Sequence, residues 1–279
     1  MNRVWGYILG GVVILAGSGI AVSACTHDDS TIFIRNALKP QLVTNGQDCL
    51  FTTDPTQPYI STGLLDIDFS YGYGATFLVG NQLVPQGDPS SPKTETSYVN
   101  IQGATVRTTD ASGKALPGTP TFTRLTSATI APSAGTTVSY EPISITLIGG
   151  TTIQDLIVAG QLPDVPPAGQ PLRATRGIRL ITYVRFFGTT LGGQYVESNE
   201  FEYPVDICRG CLIQFAPQDI RAGCAVPNCQ GMGMGGSLPV PCRRGHDLPI
   251  DCSQCLDVQD CYGAAPPGTC GADAGAGGG

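Results

Sequence analysis

Residues 177–187 read Gly-Ile-Arg-Leu-Ile-Thr-Tyr-Val-Arg-Phe-Phe, and this stretch decides the fold. Successive side chains of an extended strand point to opposite faces, so an alternating pattern indicates a strand with one buried face. One face carries Arg179, Tyr183 and Arg185, and the other carries Ile178, Leu180, Thr182, Val184 and Phe186. A second β-prone stretch, residues 194–208, follows the turn Leu191-Gly192-Gly193. The two stretches predict a long antiparallel hairpin.

Short β-prone runs continue throughout residues 31–207. They lie at residues 31–34, 49–52, 65–70, 77–79, 99–108, 122–130 and 138–148. One break, at residues 151–158, predicts a short helix that starts with Thr151 as its cap and ends at Gly160. About eight strands separated by regular turns are typical of a β-sandwich. We therefore expect an all-β fold in which residues 31–207 form an Ig-like or related β-sandwich.

The chain changes character after residue 207. Nine of its 11 cysteines follow that point, in a segment rich in Gly and Pro and without periodicity. Such a segment cannot bury enough apolar surface to fold unaided, and disulfides are the usual substitute. We expect residues 208–270 to form a small, irregular, disulfide-rich module, with residues 271–279 as a flexible tail. The disulfide candidates are Cys49, Cys208, Cys211, Cys224, Cys229, Cys242, Cys252, Cys255, Cys261 and Cys270.

Cys49 is the disulfide candidate that lies outside this module. We expect it to pair with Cys208 or Cys211, which would fasten the module to an early strand of the sandwich. The closed loop would contain about 160 residues, and long loops give the largest loss of entropy in the unfolded chain.

The N-terminus has the features of an export signal. Arg3 precedes an apolar run at residues 8–22, which is shorter than the ~20 residues that span a bilayer. The run ends in Val22-Ser23-Ala24-Cys25, which resembles the lipobox of bacterial lipoproteins. The resemblance implies that residues 1–24 are a cleaved signal peptide. It also implies that Cys25 carries a diacylglycerol and that residues 25–30 form a tether to the membrane.

The compartment and the cysteine count agree with each other. Eleven cysteines is an odd number, and lipidation of Cys25 leaves ten, which allows five disulfides in an oxidising compartment. Thr26 stands where an aspartate would favour inner-membrane retention. The resemblance therefore implies a lipid-anchored protein of the cell envelope, at the outer membrane, that faces the periplasm or the surface.

The mature chain is also similar to lipoproteins of myxobacteria and related lineages. The resemblance rests on the lipobox, the single β domain, the stretches Glu197–Phe201 and Pro204–Cys208, and the Cys-Arg-Gly-Cys sequence at residues 208–211. That group is uncharacterised and supplies no catalytic residues.

Composition excludes one class of partner. Charged residues make up 13% of the chain, the formal net charge is −7 and the pI is about 4.7. Nothing here matches a phosphate backbone, so we expect no nucleic-acid partner. We predict a non-enzymatic protein without a cofactor, held to the membrane by its lipid, that has a structural role or binds an envelope protein or glycan.

A metal-handling or redox protein is the alternative. Cys208-x-x-Cys211 and Cys252-x-x-Cys255 have the spacing of zinc ligands, with His246 nearby and Met232 and Met234 as soft donors. In an exported chain, however, the same cysteines oxidise, so we assign no metal ligands. His27 and His246 are the histidines of the chain, and neither lies near a recognisable nucleophile.

Two further polar patterns have structural interpretations. Asp66 and Asp68 are expected on the solvent face of a strand, although two carboxylates on one face could also bind calcium. The sequence Tyr71-Gly72-Tyr73-Gly74 could expose aromatic rings to a sugar or peptide. We favour a strand bend with one ring packed inward.

Overall fold

The computed structural model describes residues 31–42, 49–87, 95–116, 121–162, 175–214, 243 and 245–251. The predicted signal peptide, Cys25, the tether, the C-terminal tail, Met232, Met234 and the cysteines from Cys224 onward lie outside the described residues. The elements in chain order are β1 (Ile32–Ala37), β2 (Gln41–Leu42), β3 (Cys49–Leu50), β4 (Gly63–Asp66), β5 (Tyr73–Asn81), β6 (Val99–Asp110), β7 (Phe122–Ile130), β8 (Ser139–Ile148), α1 (Gly150–Val158), β9 (Thr175–Thr190), β10 (Tyr195–Glu197), β11 (Phe201–Arg209), β12 (Ile213–Gln214) and β13 (Ile250–Asp251).

The predicted hairpin is confirmed. β9 and β11 pair antiparallel from Phe201 opposite Val184 to Arg209 opposite Thr175, and β10 pairs with the far end of β9. The apolar face of β9 is buried through Leu180, Thr182, Val184 and Phe186. Arg179 and Arg185 lie on the solvent face, where they pair with Asp206 and Glu197.

The hairpin lies inside the larger of two principal sheets. Its strand order is β4-β11-β9-β6-β7, and the pairing of β4 with β11 is parallel, whereas its other pairings are antiparallel. The smaller sheet has the order β1-β5-β8 and is antiparallel. Two-stranded pairs join β2 with β3 and β12 with β13. The described chain is therefore mainly β-strand, as expected.

The two principal sheets contribute to one cluster of buried hydrophobic residues. Phe77 of β5 makes edge-to-face contacts with Phe186 of β9 and Tyr203 of β11, at ring-centroid distances of 6.1 Å and 5.7 Å. Ile153 and Leu156 of α1 join the same cluster. Burial of rings of this size dominates core energetics, so this contact between the sheets anchors the fold.

The single helix among the described residues lies close to its predicted position, but its predicted cap is wrong. The cap residue is Gly149, which makes no side-chain hydrogen bond, and Thr151 lies within the helix. Gly160 follows the helix with a φ of 65°, a left-handed conformation that glycine adopts without strain. No helix in the described ranges is both long and apolar enough to cross a bilayer.

The strand predicted at residues 65–70 is shorter than expected. β4 ends at Asp66, and the chain turns through residues 67–69. The turn is held by backbone hydrogen bonds from Phe69 and Ser70 to the carbonyl of Asp66, at 3.1 and 3.2 Å. Alternation continued past the strand end because apolar residues of the turn are also partly buried.

Candidate functional site

The ends of β4 and β11 gather a set of buried polar side chains, which we call the polar cluster. Because the two strands run parallel, their C-terminal ends meet at the same edge of the sheet. Residues 245–247 lie along the opposite side of β4, where Asp66 donates its N–H to the carbonyl of Gly245 at 2.9 Å and Asp247 donates its N–H to that of Leu64 at 2.9 Å. The cluster comprises Asp66, Asp68, Tyr73, Tyr203, Arg209, His246 and Asp247.

Asp66 is fully buried, so its predicted place on a solvent face is wrong. Its carboxylate accepts backbone N–H groups from Gly210 at 2.8 Å, Leu212 at 3.0 Å and Asp68 at 3.1 Å. Gly210 has a φ of 67°, so the chain turns sharply after β11 and its backbone N–H groups point toward the carboxylate. Asp66 therefore closes a turn and holds the end of β11 against β4.

Asp68 is also withdrawn from solvent, which corrects its predicted exposure. Its side chain is 9% exposed and forms an ion pair with Arg209, which is 4% exposed. Burial raises the pKa of Asp68, and the positive charge of Arg209 acts against that rise. Removal of one partner of such a buried ion pair strongly destabilises a protein, because the other charge is left buried without compensation.

Tyr73, Tyr203 and Asp247 form a chain of hydrogen bonds. Tyr73 Oη donates to the Asp247 carboxylate at 2.9 Å, and the Tyr203 hydroxyl lies 3.1 Å from Tyr73 Oη. The same carboxylate accepts the N–H of Leu64 at 2.8 Å. Burial raises the pKa of each of the three groups, and for both tyrosines the Asp247 charge adds to that rise. Both tyrosines therefore remain protonated donors.

His246 is buried against Tyr73, with ring centroids 5.0 Å apart. Nε2 lies 2.7 Å from the carbonyl oxygen of Gly72, so the neutral ring carries its proton there and donates it. Burial lowers the pKa of His246, and the charge of Arg243 lowers it further. Its buried Nδ1 has no hydrogen-bond partner in the part of the chain that the structure describes.

Cys208 and Cys211 form a disulfide with each other. Cys49 is also disulfide-bonded, so its predicted pairing with Cys208 or Cys211 is wrong. Cys208 lies near the end of β11 and Cys211 lies in the turn that follows, so the two sulfurs meet across three residues, whereas Cys49 lies in β3, which pairs with β2.

The disulfide also bears on the alternative interpretation of Cys208 and Cys211 as metal ligands. Ligand atoms of Asp66, Cys208 and Cys211 lie within 4.8 Å of one another. The two sulfurs are bonded together and are not thiolates, and the Asp66 oxygens already accept three N–H groups. These residues therefore stabilise the turn after β11 and do not form a cation-binding site.

The Tyr-Gly-Tyr-Gly sequence has the predicted inward ring. Tyr73 is 1% exposed, whereas Tyr71 is 47% exposed. The pairing register of β5 with β8 shifts between Tyr73 and Gly74, which marks the expected bend. The structural interpretation of this motif is confirmed.

Two cavities lie beside the polar cluster and share Tyr73, Gly74, Arg243 and His246 in their walls. The smaller, about 240 Å³, is lined mostly by apolar side chains that include Leu38, Phe51 and Leu248. The larger, about 560 Å³, is more open and adds Arg124 with the hydroxyl residues Ser70, Ser144 and Thr146.

Sequence reasoning missed Arg124, Tyr203, Arg209, Arg243 and Asp247. The one signal available was the run Arg243-Arg244-Gly245-His246-Asp247, a concentration of charge in a segment otherwise rich in Gly and Pro. Comparison of the chain with protein-family models, with curated proteins and with solved structures gave no match.

Proposed function

We propose that the protein is a non-enzymatic lipoprotein of the bacterial cell envelope, with a structural or binding role. The lipobox-like Val22-Ser23-Ala24-Cys25 supports cleavage before Cys25 and lipidation of its thiol. Two or more acyl chains make such an anchor stable. Thr26 supports the outer membrane as the site of attachment, with the β domain displayed to the periplasm or the surface.

The oxidised state of the described cysteines carries this proposal. Cys208 and Cys211 form a disulfide, and Cys49 is disulfide-bonded as well. Disulfides of this kind persist in exported proteins and are rare in the reducing cytosol. The observation is independent of the N-terminal motif, and it favours the same compartment.

We further propose that residues 31–207 form an Ig-like or related β-sandwich. The two principal sheets share one hydrophobic core, and Phe77 of the smaller sheet contacts Phe186 and Tyr203 of the larger. These features support face-to-face packing of the sheets. Within the larger sheet, the parallel pairing of β4 with β11 adds an edge strand that a simple succession of hairpins does not supply.

The polar cluster supports a structural role for the segment that follows residue 208. Asp66, Asp247 and His246 bind backbone groups. Tyr73 donates to Asp247, and the Tyr203 hydroxyl bonds that of Tyr73. These bonds hold residues 245–247 against β4 and β5. The cluster is thus a clasp that holds residues 245–247, part of the predicted disulfide-rich module, to the β domain, and the proposed partner is an envelope protein or glycan.

Lipidation is tested by metabolic labelling with palmitate in a bacterial host that processes lipoproteins. The wild type should be labelled and require detergent for extraction, and Cys25→Ala should lose both properties. Thr26→Ala is the matched control, because it changes the neighbouring residue and leaves the thiol. A labelled, membrane-bound Cys25→Ala protein would refute the assignment.

Oxidation is tested on the same extract by intact mass after alkylation of free thiols. We expect a mass that includes diacylglycerol and no alkylated cysteine. Alkylation at several cysteines, or retained metal, would contradict the proposal and favour the metal-handling alternative.

A further inference from the structure

The larger cavity is lined by two arginines that form no ion pair within the described part of the chain. Neither Arg124 nor Arg243 forms an ion pair with a described carboxylate. Arg124 lies over the ring of Phe122 at 4.8 Å, and Arg243 affects Asp247 only through its charge. In a chain of net charge −7, two unpaired guanidinium groups in one cavity are an unusual concentration of positive charge.

The backbone of the smaller sheet makes room for both guanidinium groups. A Cβ on Gly74 of β5 would overlap Nη1 of Arg243, so the absence of a side chain there admits the arginine. A Cβ on Gly149, just after β8, would lie 3.3 Å from Nη2 of Arg124. Gly74 pairs with Thr146 of β8, so the two arginines approach the same end of that strand.

Neutral polar groups complete the wall. Ser70, Ser144 and Thr146 present hydroxyls, and His246 lies between the two cavities. His246 is more than nine-tenths buried, and its Nδ1 is without a partner among the described residues. A buried polar atom without a partner is uncommon and requires an explanation. Because Nε2 carries the ring proton, Nδ1 is an acceptor, and a hydroxyl of a ligand in the cavity that His246 lines would supply the donor.

We propose that this cavity binds a phosphate monoester, with the phosphate group held by Arg124 and Arg243. The planar guanidinium fork matches phosphate oxygens and forms short, charge-assisted hydrogen bonds. The cavity, at about 560 Å³, has room for more than the phosphate alone, so the hydroxyl residues meet the remainder of the ligand. The site goes beyond the proposed function, because it depends on residues of the β domain and of the clasp and not on Cys25.

Isothermal titration calorimetry of the full-length protein in detergent tests the site. The probes are inorganic phosphate, glucose 1-phosphate and glycerol 3-phosphate, with glucose as the uncharged control. We expect the phosphates to bind and glucose not to bind. Tighter binding of glucose 1-phosphate would identify a phosphorylated glycan as the source, and tighter binding of glycerol 3-phosphate would identify a lipid headgroup.

Variants identify the arginines. Arg124→Gln and Arg243→Gln should each weaken phosphate binding by about 10-fold or more, since each removes a charge-assisted contact. Arg243→Lys keeps the charge without the fork and should lose part of the affinity. Arg185→Gln removes an exposed arginine from the solvent face of β9 and should leave binding unchanged.

Three results would overturn the proposal. They are no binding of any phosphate by the wild type, undiminished binding by the double variant Arg124→Gln/Arg243→Gln, and an equal loss in Arg185→Gln. Circular dichroism establishes that each variant is folded. None of these results bears on palmitate labelling, so the lipid anchor and the phosphate site fail separately.

Discussion

The substitution Asp66→Asn should strongly destabilise the protein although it changes few atoms. The Asp66 carboxylate is fully buried, with Oδ1 accepting N–H groups from Gly210 and Asp68 and Oδ2 accepting one from Leu212. An asparagine keeps one acceptor oxygen and places an NH₂ group against the third N–H. Two bonds then lose their charge assistance, and one buried donor loses its acceptor and faces another donor.

The magnitude follows from these three bonds. A hydrogen bond to a charged group contributes about 1.5–3 kcal/mol, a neutral one about 0.5–1.5, and an unsatisfied buried donor costs about 1–3. The sum is a loss of about 3–5 kcal/mol in the free energy of unfolding, against a total of about 5–15 kcal/mol for a typical domain. The urea midpoint should fall by roughly 1–2 M.

Urea unfolding followed by circular dichroism measures the change. Asp155→Asn on the exposed side of α1 is the matched control, because it removes the same charge from a solvated position and should shift stability by less than about 0.5 kcal/mol. If Asp66→Asn is no more destabilising than Asp155→Asn, the Asp66 carboxylate does not hold the turn after β11, and its part in the clasp described above is wrong.

Two further predictions concern the shared wall of the cavities. Gly74→Ala should displace the Arg243 side chain and weaken phosphate binding by about 10-fold, because the new Cβ would overlap Nη1. Calorimetry that shows wild-type affinity would refute the placement of Arg243. The lowered pKa of His246 means that the folded state favours the neutral ring. Its contribution to stability is therefore present above a pH of about 6.5, and it is lost as the pH falls through the lower pKa of the folded state. Urea midpoints measured across this range should fall more steeply for the wild type than for His246→Gln, and parallel profiles would show that His246 does not titrate as argued. Asp68 and Asp247, whose pKa values are raised, become more favourable to folding as the pH falls, and they affect both proteins alike.

Local pattern was sufficient to predict the strands whose partners are near in sequence. The alternation in residues 177–187 predicted both the hairpin and its buried face, since the charged residues of this stretch lie on one face only. Residues 122–130 pair with the preceding β6 and were predicted to their ends. Residues 138–148 were predicted nearly to their ends by their own alternation, although their partner β5 is distant in the sequence. The helix was predicted because its pattern breaks the alternation, but its cap depends on a backbone conformation at Gly149 that no residue type signals.

The polar cluster could not be predicted because its members meet only through distant pairings. The sequence predicted a solvent-exposed Asp66. Its carboxylate oxygens accept hydrogen bonds from backbone N–H groups, and every sequence possesses such groups, so no residue type signals this environment. Cys208 and Cys211 had the spacing of metal ligands, and only their closure into a disulfide excluded that chemistry for them. Arg124 and Arg243 lie far apart in the sequence, and only the fold places them in one cavity wall.

The parallel pairing of β4 has a consequence for how the chain is made. Its partner β11 is supplied late in synthesis: Ile67, just after β4, donates its N–H to the carbonyl of Cys208 in β11 at 2.9 Å, and His246 Nε2 donates to the carbonyl of Gly72 across 174 residues of sequence. A polypeptide synthesised from its N-terminus therefore holds β4 with unpaired N–H and C=O groups until most of the chain has emerged. Open strand edges promote aggregation, and long-range contacts slow folding. Residues made late thus complete one of the early strands, and a truncation just before residue 201 should leave an aggregation-prone intermediate with that edge exposed.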